Sequence, residues 1–205
     1  TQGNVTEEKR IQFAAVIADE GQWLKNMSDR MQDYICIGVI NEYNRQEVNI
    51  KQLMQEVCGK MQSVYQKYNI GLQLQSEDFS VRVEQNLFER MLYNYLDNAR
   101  KASAENGEVR LSAYQTEDGY TIEIADHGIG MAQEEIGKIE DPFYMIDKAR
   151  GRKTEGVGLG MAIAGKIAAA HHGEVRIESI PKEGTIIRIH FSEDLDYTCL
   201  LYTSP

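Results

Sequence analysis

The apolar positions of residues 6–38 recur at intervals of seven. The members of this stripe are Ile17, Leu24, Met31, Phe13, Met27 and Tyr34, with Glu20 interrupting it. A seven-residue repeat makes a narrow stripe, which is typical of a helix that packs along another helix. We therefore predict one long helix here. Packing in a bundle or dimer is favoured over packing on the chain's own domain, because ordinary core helices carry a wider apolar stripe.

The apolar pattern of the following residues changes its period several times. Helical spacing is found in three segments: 50–68, 85–103 and 159–170. The alternation typical of strands is found at 48–50, 70–74, 79–83, 109–113, 120–124, 175–177 and 187–191. The turn-prone Glu117-Asp118-Gly119 joins one pair of these strands. We predict a helix followed by an α+β sandwich, with a mixed sheet on one side and three helices on the other.

One long segment follows neither period. Residues 143–157 contain few apolar anchors, two glycines and four cations, which are Lys148, Arg150, Arg152 and Lys153. A loop of this length without structure of its own is usually functional, so we expect a mobile loop that can fold over an anionic ligand. Residues after 192 show no usable period. The predicted boundaries are a helix and linker at 1–44, the main domain at 45–192 and a tail at 193–205.

Charge and cysteine content restrict the partners of the chain. Among 205 residues there are 22 Lys and Arg against 32 Asp and Glu, which gives a formal net charge of −10. That sign argues against a nucleic-acid or anionic-membrane binder but is compatible with one local cationic pocket. The three cysteines are far apart and form no C-x-x-C motif, which argues against a disulfide framework and against a cysteine zinc site. This cysteine content suits a reducing compartment. No apolar run reaches the ~18 residues of a membrane span, so we expect a soluble chain.

Four short segments carry residues suited to binding a nucleotide. Asn94 and Asn98 project from one helix face, with Lys101 close to it. Asp126 ends an apolar strand and is followed by two glycines, Asp141-Pro142-Phe143 opens the cationic loop, and a Gly-rich turn at 156–160 closes it. A carboxylate at a strand end can accept a hydrogen bond from the amino group of adenine, and adjacent glycines allow a flat ring to approach the backbone. Backbone N–H groups of a Gly-rich turn before a helix suit phosphate, and carboxamide oxygens suit Mg²⁺.

In this order, the four segments resemble the nucleotide-binding boxes of the GHKL ATP-binding fold. Among the members of that fold, the chain resembles the sensor histidine kinases. NYLDNARKAS resembles the N box, IADHGIGM the G1 box, DPFY the F box and GVGLGMAI the G2 box. The likeness extends over residues 15–191, because ADEGQWLKNMSDRM resembles the second helix of the dimerisation and phosphoacceptor bundle and HHGEVRIES resembles a late strand. It implies the two-layer α/β sandwich of the Bergerat type.

The resemblance also implies a reaction and its partners. ATP and Mg²⁺ would bind, and the γ-phosphoryl group would pass to a histidine on a dimerisation helix for relay to a response regulator in two-component signalling. The implied partners are the phosphoacceptor helix, a second copy in a homodimer and a receiver domain, with no nucleic acid. The implied location is the cytoplasm, either as a separate protein or as the cytoplasmic part of a membrane-bound sensor.

Roles transfer from the family to the matching positions of this sequence. Asp126 would bind the adenine amino group, with Gly128 and Gly130 lining the ring. Asn98 would be the main Mg²⁺ ligand, assisted by Asn94, and Lys101 and Arg152 would contact phosphate, so that Asn98, Lys101 and Arg152 form the catalytic set. Phe143 would anchor the loop over the nucleotide. The turn that would hold phosphates consists of Gly156, Val157, Gly158, Leu159 and Gly160.

The sequence departs from the family pattern at four places. His127 stands where Asn is usual, and Glu155 stands where some relatives have Gln. His171-His172-Gly173 replaces His-Gly-Gly, which we interpret as a helix end in preference to a metal-binding pair. None of the four histidines lies in the N-terminal helix, so we expect the phosphoacceptor helix to be absent from this chain.

Three hypotheses about function remain at this stage. Hydrolytic members of the superfamily use an N-box Glu to activate water, whereas the equivalent residue here is Asn94, which cannot take a proton at neutral pH. A neutral histidine acceptor needs no such base, so Asn94 favours a kinase over a hydrolase. The alternatives are an anti-sigma-type serine kinase on the same fold and a pseudokinase that acts through partner contacts, for which Glu155 and His127 are the arguments.

Overall fold

The long N-terminal helix is confirmed in the computed structural model, which describes residues 6–37, 44–146 and 158–192. This helix, α1, runs from Glu7 to Ile37. Its apolar stripe is largely exposed, with Ile17 71% and Leu24 59% accessible to solvent, and only its last turns contact the rest of the chain. Packing of the stripe along another helix therefore stays a prediction. Within the described ranges, no helix has the length and apolar character that a bilayer span requires.

A five-stranded mixed sheet forms one layer of the domain. Its strands, in spatial order, are β2 (Gly71–Ser76), β4 (Glu108–Thr116), β5 (Gly119–Asp126), β7 (Gly184–Ser192) and β6 (Gly173–Ile180). The pair β2–β4 is parallel and the other three pairs are antiparallel. Two shorter strands, β1 (Gln46–Asn49) and β3 (Ser80–Val83), pair separately in antiparallel register. The predicted mixed sheet is thus confirmed.

Three helices cover one face of this sheet, as predicted. They are α2 (Ile50–Lys67), α3 (Gln85–Ala102) and α5 (Gly160–Ala170), and their apolar residues join those of β4, β5 and β7 in one core. Asn49 caps α2 by accepting a hydrogen bond from the Gln52 N–H, so Ile50 begins that helix and does not extend the preceding strand. A short helix, α4 (Gln133–Ile136), was not predicted. The layered architecture places the C-terminal half of α3 beside the end of β5.

The double histidine ends α5, in agreement with its interpretation as a helix end. The imidazole of His171 is buried, with Nδ1 2.8 Å from the Ile167 carbonyl oxygen and Nε2 3.1 Å from the Glu84 backbone nitrogen. Because a carbonyl only accepts and an N–H only donates, the ring is neutral, with its proton on Nδ1. Burial lowers the pKa of His171, the charge of Arg45 contributes in the same direction, and the bond to Ile167 acts in the opposite direction.

We expect His171 to make the fold less stable in mild acid. Since the folded-state pKa lies below the ordinary value near 6.5, the unfolded chain binds a proton that the folded chain does not as the pH falls below about 6.5. Stability then decreases with falling pH. Urea unfolding at pH 7, 6 and 5 should show a smaller pH dependence of stability in His171→Phe than in the parent. An unchanged dependence in His171→Phe would contradict the buried neutral ring.

Candidate functional site

A cavity of about 280 Å³ lies between α3, the segment after β5 and the start of α5. Its polar lining includes Asn94, Asn98, Lys101 and Asp126, four of the predicted site residues. Apolar side chains form most of the remaining wall: Ile129, Met131, Ile139, Met145, Ile146, Met161 and Ile187. A mostly apolar cavity with a few convergent polar groups is the usual form of a small-molecule site.

Asp126 occupies one end of the cavity. It is the last residue of β5, it is 7% exposed, and its Oδ1 accepts a hydrogen bond from the Gly128 N–H at 2.8 Å. Burial raises the pKa of Asp126, while the Gly128 and Thr185 amides and the nearby His127 act in the opposite direction. A carboxylate has about four lone-pair sites, so these two amides leave acceptor capacity for a ligand.

The segment after β5 is held against the C-terminal end of α3. The Ile129 N–H donates to the Ala102 carbonyl at 3.0 Å. Gly128 packs so closely on the same carbonyl that an added Cβ would collide with it. A residue with a side chain therefore cannot replace Gly128 without moving the segment, and Gly130, two residues later, lines the cavity itself.

Asn94 and Asn98 face the start of α5. Asn94 Nδ2 donates to the Arg90 carbonyl at 2.9 Å, which leaves its amide oxygen available. Asn98 Nδ2 is buried and has no hydrogen-bond partner among the residues that the structure describes. A Cβ added to Gly160 would lie 3.3 Å from Asn94 Oδ1 and 3.4 Å from Asn98 Nδ2, so glycine allows α5 to begin directly over both amides. A buried NH₂ group of this kind is a donor suited to an acceptor oxygen of a ligand, such as a phosphate oxygen.

Lys101 lies on the same side of α3 and pairs with a carboxylate that the sequence did not single out. Its Nζ is 2.6 Å from Asp97 Oδ2, and Arg100 Nη2 is 2.8 Å from Asp97 Oδ1. Burial acts to raise the pKa of Asp97, but the two cations outweigh it, so the pKa of this carboxyl lies below its ordinary value. Asp97 is therefore ionised and held between two cations.

The structure describes only part of the predicted phosphate-binding turn and loop. Phe143 N–H donates to the Gly158 carbonyl at 2.9 Å, which joins the F-box and G2-box segments through their backbones. The Phe143 ring is 47% exposed and does not line the cavity, whereas its neighbour Tyr144 does. Leu159 is buried in the core, so only its backbone could face a ligand. Arg152, Gly156 and Val157, with most of the predicted mobile loop 143–157, lie outside the described residues.

Comparison with known protein families identifies the family of this chain. Residues 83–195, more than half of the chain, match the family described as histidine kinase-, DNA gyrase B- and HSP90-like ATPase. The chain belongs to this family. The match contains the N-box and G1-box residues and the helices α3 and α5 beside the cavity, so the ATPase-family fold predicted from the four boxes is confirmed.

Within this family, the chain is similar to sensor histidine kinases. The chain is 33% identical over 149 residues to the sensor histidine kinase WalK of Bacillus subtilis (strain 168), a match that covers 71% of this chain and 24% of WalK. The chain thus spans about a quarter of that relative's length. Full-length ShkA in complex with AMPPNP superposes with a TM-score of 0.76 at 23% identity over 91% of this chain and 39% of ShkA. Histidine kinase ThkA in complex with the response regulator protein TrrA gives a TM-score of 0.73 at 20% identity over 93% of this chain and 53% of that one. These two likenesses show the fold.

Several cavity residues were not predicted from the sequence. Thr185 supplies an amide to Asp126 because β5 and β7 are paired, and Asp97 was overlooked because it lies between the two asparagines. Arg30 belongs to α1 and lies more than 60 residues before the N box, yet it lines the cavity. Only Asp97 carried a local signal, since it stands four residues before Lys101 on a helix.

Two departures from the family pattern can be assessed here. His127 is exposed beside Asp126 and does not line the cavity. Within the described part of the chain, no group of three or more His, Cys, Asp or Glu side chains could hold a metal ion. His171 is the residue at which α5 ends, as described above. Glu155 lies outside the described residues.

Proposed function

We propose that this chain binds Mg²⁺-ATP and is the phosphoryl-donating part of a protein-histidine kinase of two-component signalling. One observation carries the proposal: a single cavity joins a buried strand-end carboxylate, Asp126, to the amides of Asn94 and Asn98. The first group suits an adenine amino group and the second a metal-bound phosphate tail. The kinase relatives support the choice of reaction.

Asp126 would select the base. Its two backbone donors, from Gly128 and Thr185, hold the carboxylate in one orientation, and burial keeps water from competing for its remaining lone pairs. An adenine amino group donates to such an acceptor. Guanine carries a carbonyl oxygen at the same position, and an oxygen facing a carboxylate is unfavourable, so ATP is the expected ligand.

The asparagine pair fits Mg²⁺. Asn94 Oδ1 is left available by the bond from Asn94 Nδ2 to the Arg90 carbonyl, and the amide oxygens of Asn94 and Asn98 both lie beside Gly160, which leaves room for an ion. Oxygen-donor amides that share a hard cation with phosphate are typical of Mg²⁺ sites. When bound, Mg²⁺ would neutralise charge on the β- and γ-phosphates. Lys101 would add a second positive charge on the same face of α3, and Arg152 and the turn 156–160 are proposed to complete the phosphate contacts.

The carboxylates of the cavity favour transfer to an acceptor over hydrolysis. Among the described lining residues these are Asp97 and Asp126. Asp97 is held between Lys101 and Arg100, and Asp126 is held by backbone amides at the base end. Asn94 has no basic group. Neither carboxylate is therefore a free base beside the phosphate tail, whereas a neutral imidazole would attack the γ-phosphorus with its own lone pair while the bond to the ADP oxygen breaks.

The proposed partners follow from this reaction. The acceptor is a histidine on a dimerisation helix, and the exposed stripe of α1 would pack with that helix and with a second copy of the chain. A receiver domain would take the phosphoryl group onward, as suggested by the ThkA–TrrA complex. Because the reaction consumes ATP, we place it in the cytoplasm.

Incubation of the chain alone with γ-labelled ATP tests this proposal. We expect Mg²⁺-dependent ATP binding, no acid-labile label on the chain and slow release of phosphate, since α1 contains no histidine. An acid-stable phosphoserine on an added protein substrate would favour the serine-kinase alternative. Absence of ATP binding would favour the partner-binding alternative and would overturn the proposal.

A further inference from the structure

Arg30 is the residue of α1 that reaches the cavity. It lies outside the segment that matches the ATPase family, residues 83–195. The side chain is half-buried, in contrast to most of α1, whose residues before Met27 are all exposed. The last turns of the long helix therefore bring a guanidinium to the edge of the nucleotide site.

The residues of α3 show at which end of the cavity Arg30 lies. The base end lies at Ala102, where the segment after Asp126 is hydrogen-bonded. Asn94 lies eight residues earlier, which is about 12 Å along a helix, and Arg90 is one further turn away. Arg90 pairs with Asp33 of α1, which stands three residues after Arg30 and so on the same side of that helix, and the positive charge of Arg30 adds to the lowering of the Arg90 pKa that burial causes. Arg30 thus lies at the Asn94 end, opposite the base.

The charges at that end are not balanced among the described residues. Arg90 forms an ion pair with Asp33 of α1. Arg30 forms no ion pair within residues 6–37, 44–146 and 158–192. Two cations and one carboxylate therefore leave a positive charge beside Asn94. Like charges held together at a partly buried site favour an anion between or beside them.

The neighbouring residues of α1 fix the position of Arg30. Asp33 pairs with Arg90 on α3. One residue later, Lys166 of α5 lies over the Tyr34 ring at 3.6 Å from its centroid and donates to the Tyr34 carbonyl at 3.2 Å. Ile37 is buried in the domain core. These contacts attach the last two turns of α1 to α3 and α5.

We propose that Arg30 binds the terminal phosphate of ATP and so makes the nucleotide tail a link between α1 and the nucleotide-binding domain. This inference rests on the proposed function, because it requires ATP to lie with its base at Asp126. Arginine suits the role, since its planar fork can donate two hydrogen bonds to one phosphate. The coupling is reciprocal: if docked α1 strengthens ATP binding, then ATP strengthens the docking of α1.

Calorimetry on the full chain with Mg²⁺-ATP and with AMP tests the assignment. Removing one charge-assisted contact should lower the ATP affinity of Arg30→Gln about tenfold, while its AMP affinity stays within about twofold of the parent, because AMP lacks the terminal phosphates. Arg30→Lys keeps the charge and loses the planar fork, so its ATP affinity should lie between those of Arg30→Gln and the parent. The matched control is Arg10→Gln, on the exposed first turns of the same helix, which should bind ATP as the parent does.

The outcomes separate this inference from the proposed function. Equal ATP affinities in Arg30→Gln and the parent would overturn the role of Arg30 and leave the proposed function intact. An equal loss for ATP and AMP would also overturn it, because the residue would then only shape the cavity. A parent chain that binds neither nucleotide would overturn the proposed function itself.

Discussion

Replacement of Asp126 by Asn is expected to weaken ATP binding at least tenfold. The carboxylate accepts from the Gly128 and Thr185 amides and is proposed to accept from the adenine amino group as well. An asparagine keeps one acceptor oxygen and places an NH₂ group where the second oxygen was, so one donor must face another. An unsatisfied buried polar group costs about 1–3 kcal/mol, and 1.4 kcal/mol is a factor of about ten in affinity.

Asp118→Asn is the matched control for this change. Asp118 lies in the turn before the same strand, and its side chain is 75% exposed. The ATP affinity of the Asp118→Asn variant should equal that of the parent. Thermal unfolding of both variants separates a lost ligand contact from a lost fold. The account predicts in addition that the parent binds GTP much more weakly than ATP. Equal ATP affinities for Asp126→Asn and the parent would remove Asp126 from the binding site.

Replacement of Asn98 by Ala should reduce phosphoryl transfer about a hundredfold or more, since it removes the proposed main Mg²⁺ ligand from the point where charge develops. The same change should not destabilise the chain. Asn98 Nδ2 has no hydrogen-bond partner among the described residues, and alanine is the better helix former, so unfolding should occur at an equal or higher denaturant concentration. A loss of activity together with retained stability distinguishes a ligand-binding amide from a structural one.

Asn86→Ala on the same helix controls for the substitution type. Asn86 is exposed, and its Nδ2 donates to Glu84 Oε1 at 3.1 Å. Its ATP affinity should match the parent's in Mg²⁺ and in EDTA. In contrast, the stimulation of ATP binding by Mg²⁺ should be lost in Asn98→Ala. If Mg²⁺ stimulates binding equally in Asn98→Ala and the parent, the ion is held by other groups.

Local patterns were sufficient for the elements of this fold. Seven-residue spacing predicted α1, and alternation predicted the five strands of the sheet, because both reflect the period of one element alone. The pairing of the strands was harder to predict from the sequence. β2 and β3 are neighbours in the sequence, yet β2 joins β4 and β3 joins β1, since each strand pairs where tertiary packing buries its apolar face. No local signal specifies that choice.

The candidate site was predictable to the extent that its residues lie in four ordered segments. Asn94, Asn98, Lys101 and Asp126 do converge on one cavity. Thr185 and Arg30 could not be predicted in the same way. Thr185 reaches Asp126 through strand pairing, and Arg30 reaches the cavity through the docking of α1, so both depend on contacts between segments far apart in the chain. The apolar wall was not singled out, although Met131 and Met161 stand within the G1-box and G2-box segments.

Labelling in trans tests most directly whether this chain donates a phosphoryl group to histidine. The chain is incubated with γ-labelled ATP and Mg²⁺, together with a longer kinase of the same family that carries the acceptor helix and cannot bind nucleotide. The account predicts acid-labile label on the added acceptor, none on this chain, and loss of the label when Asn98→Ala replaces the parent. Label on this chain alone, or phosphate release as rapid as that of a dedicated ATPase without label on the acceptor, would contradict it.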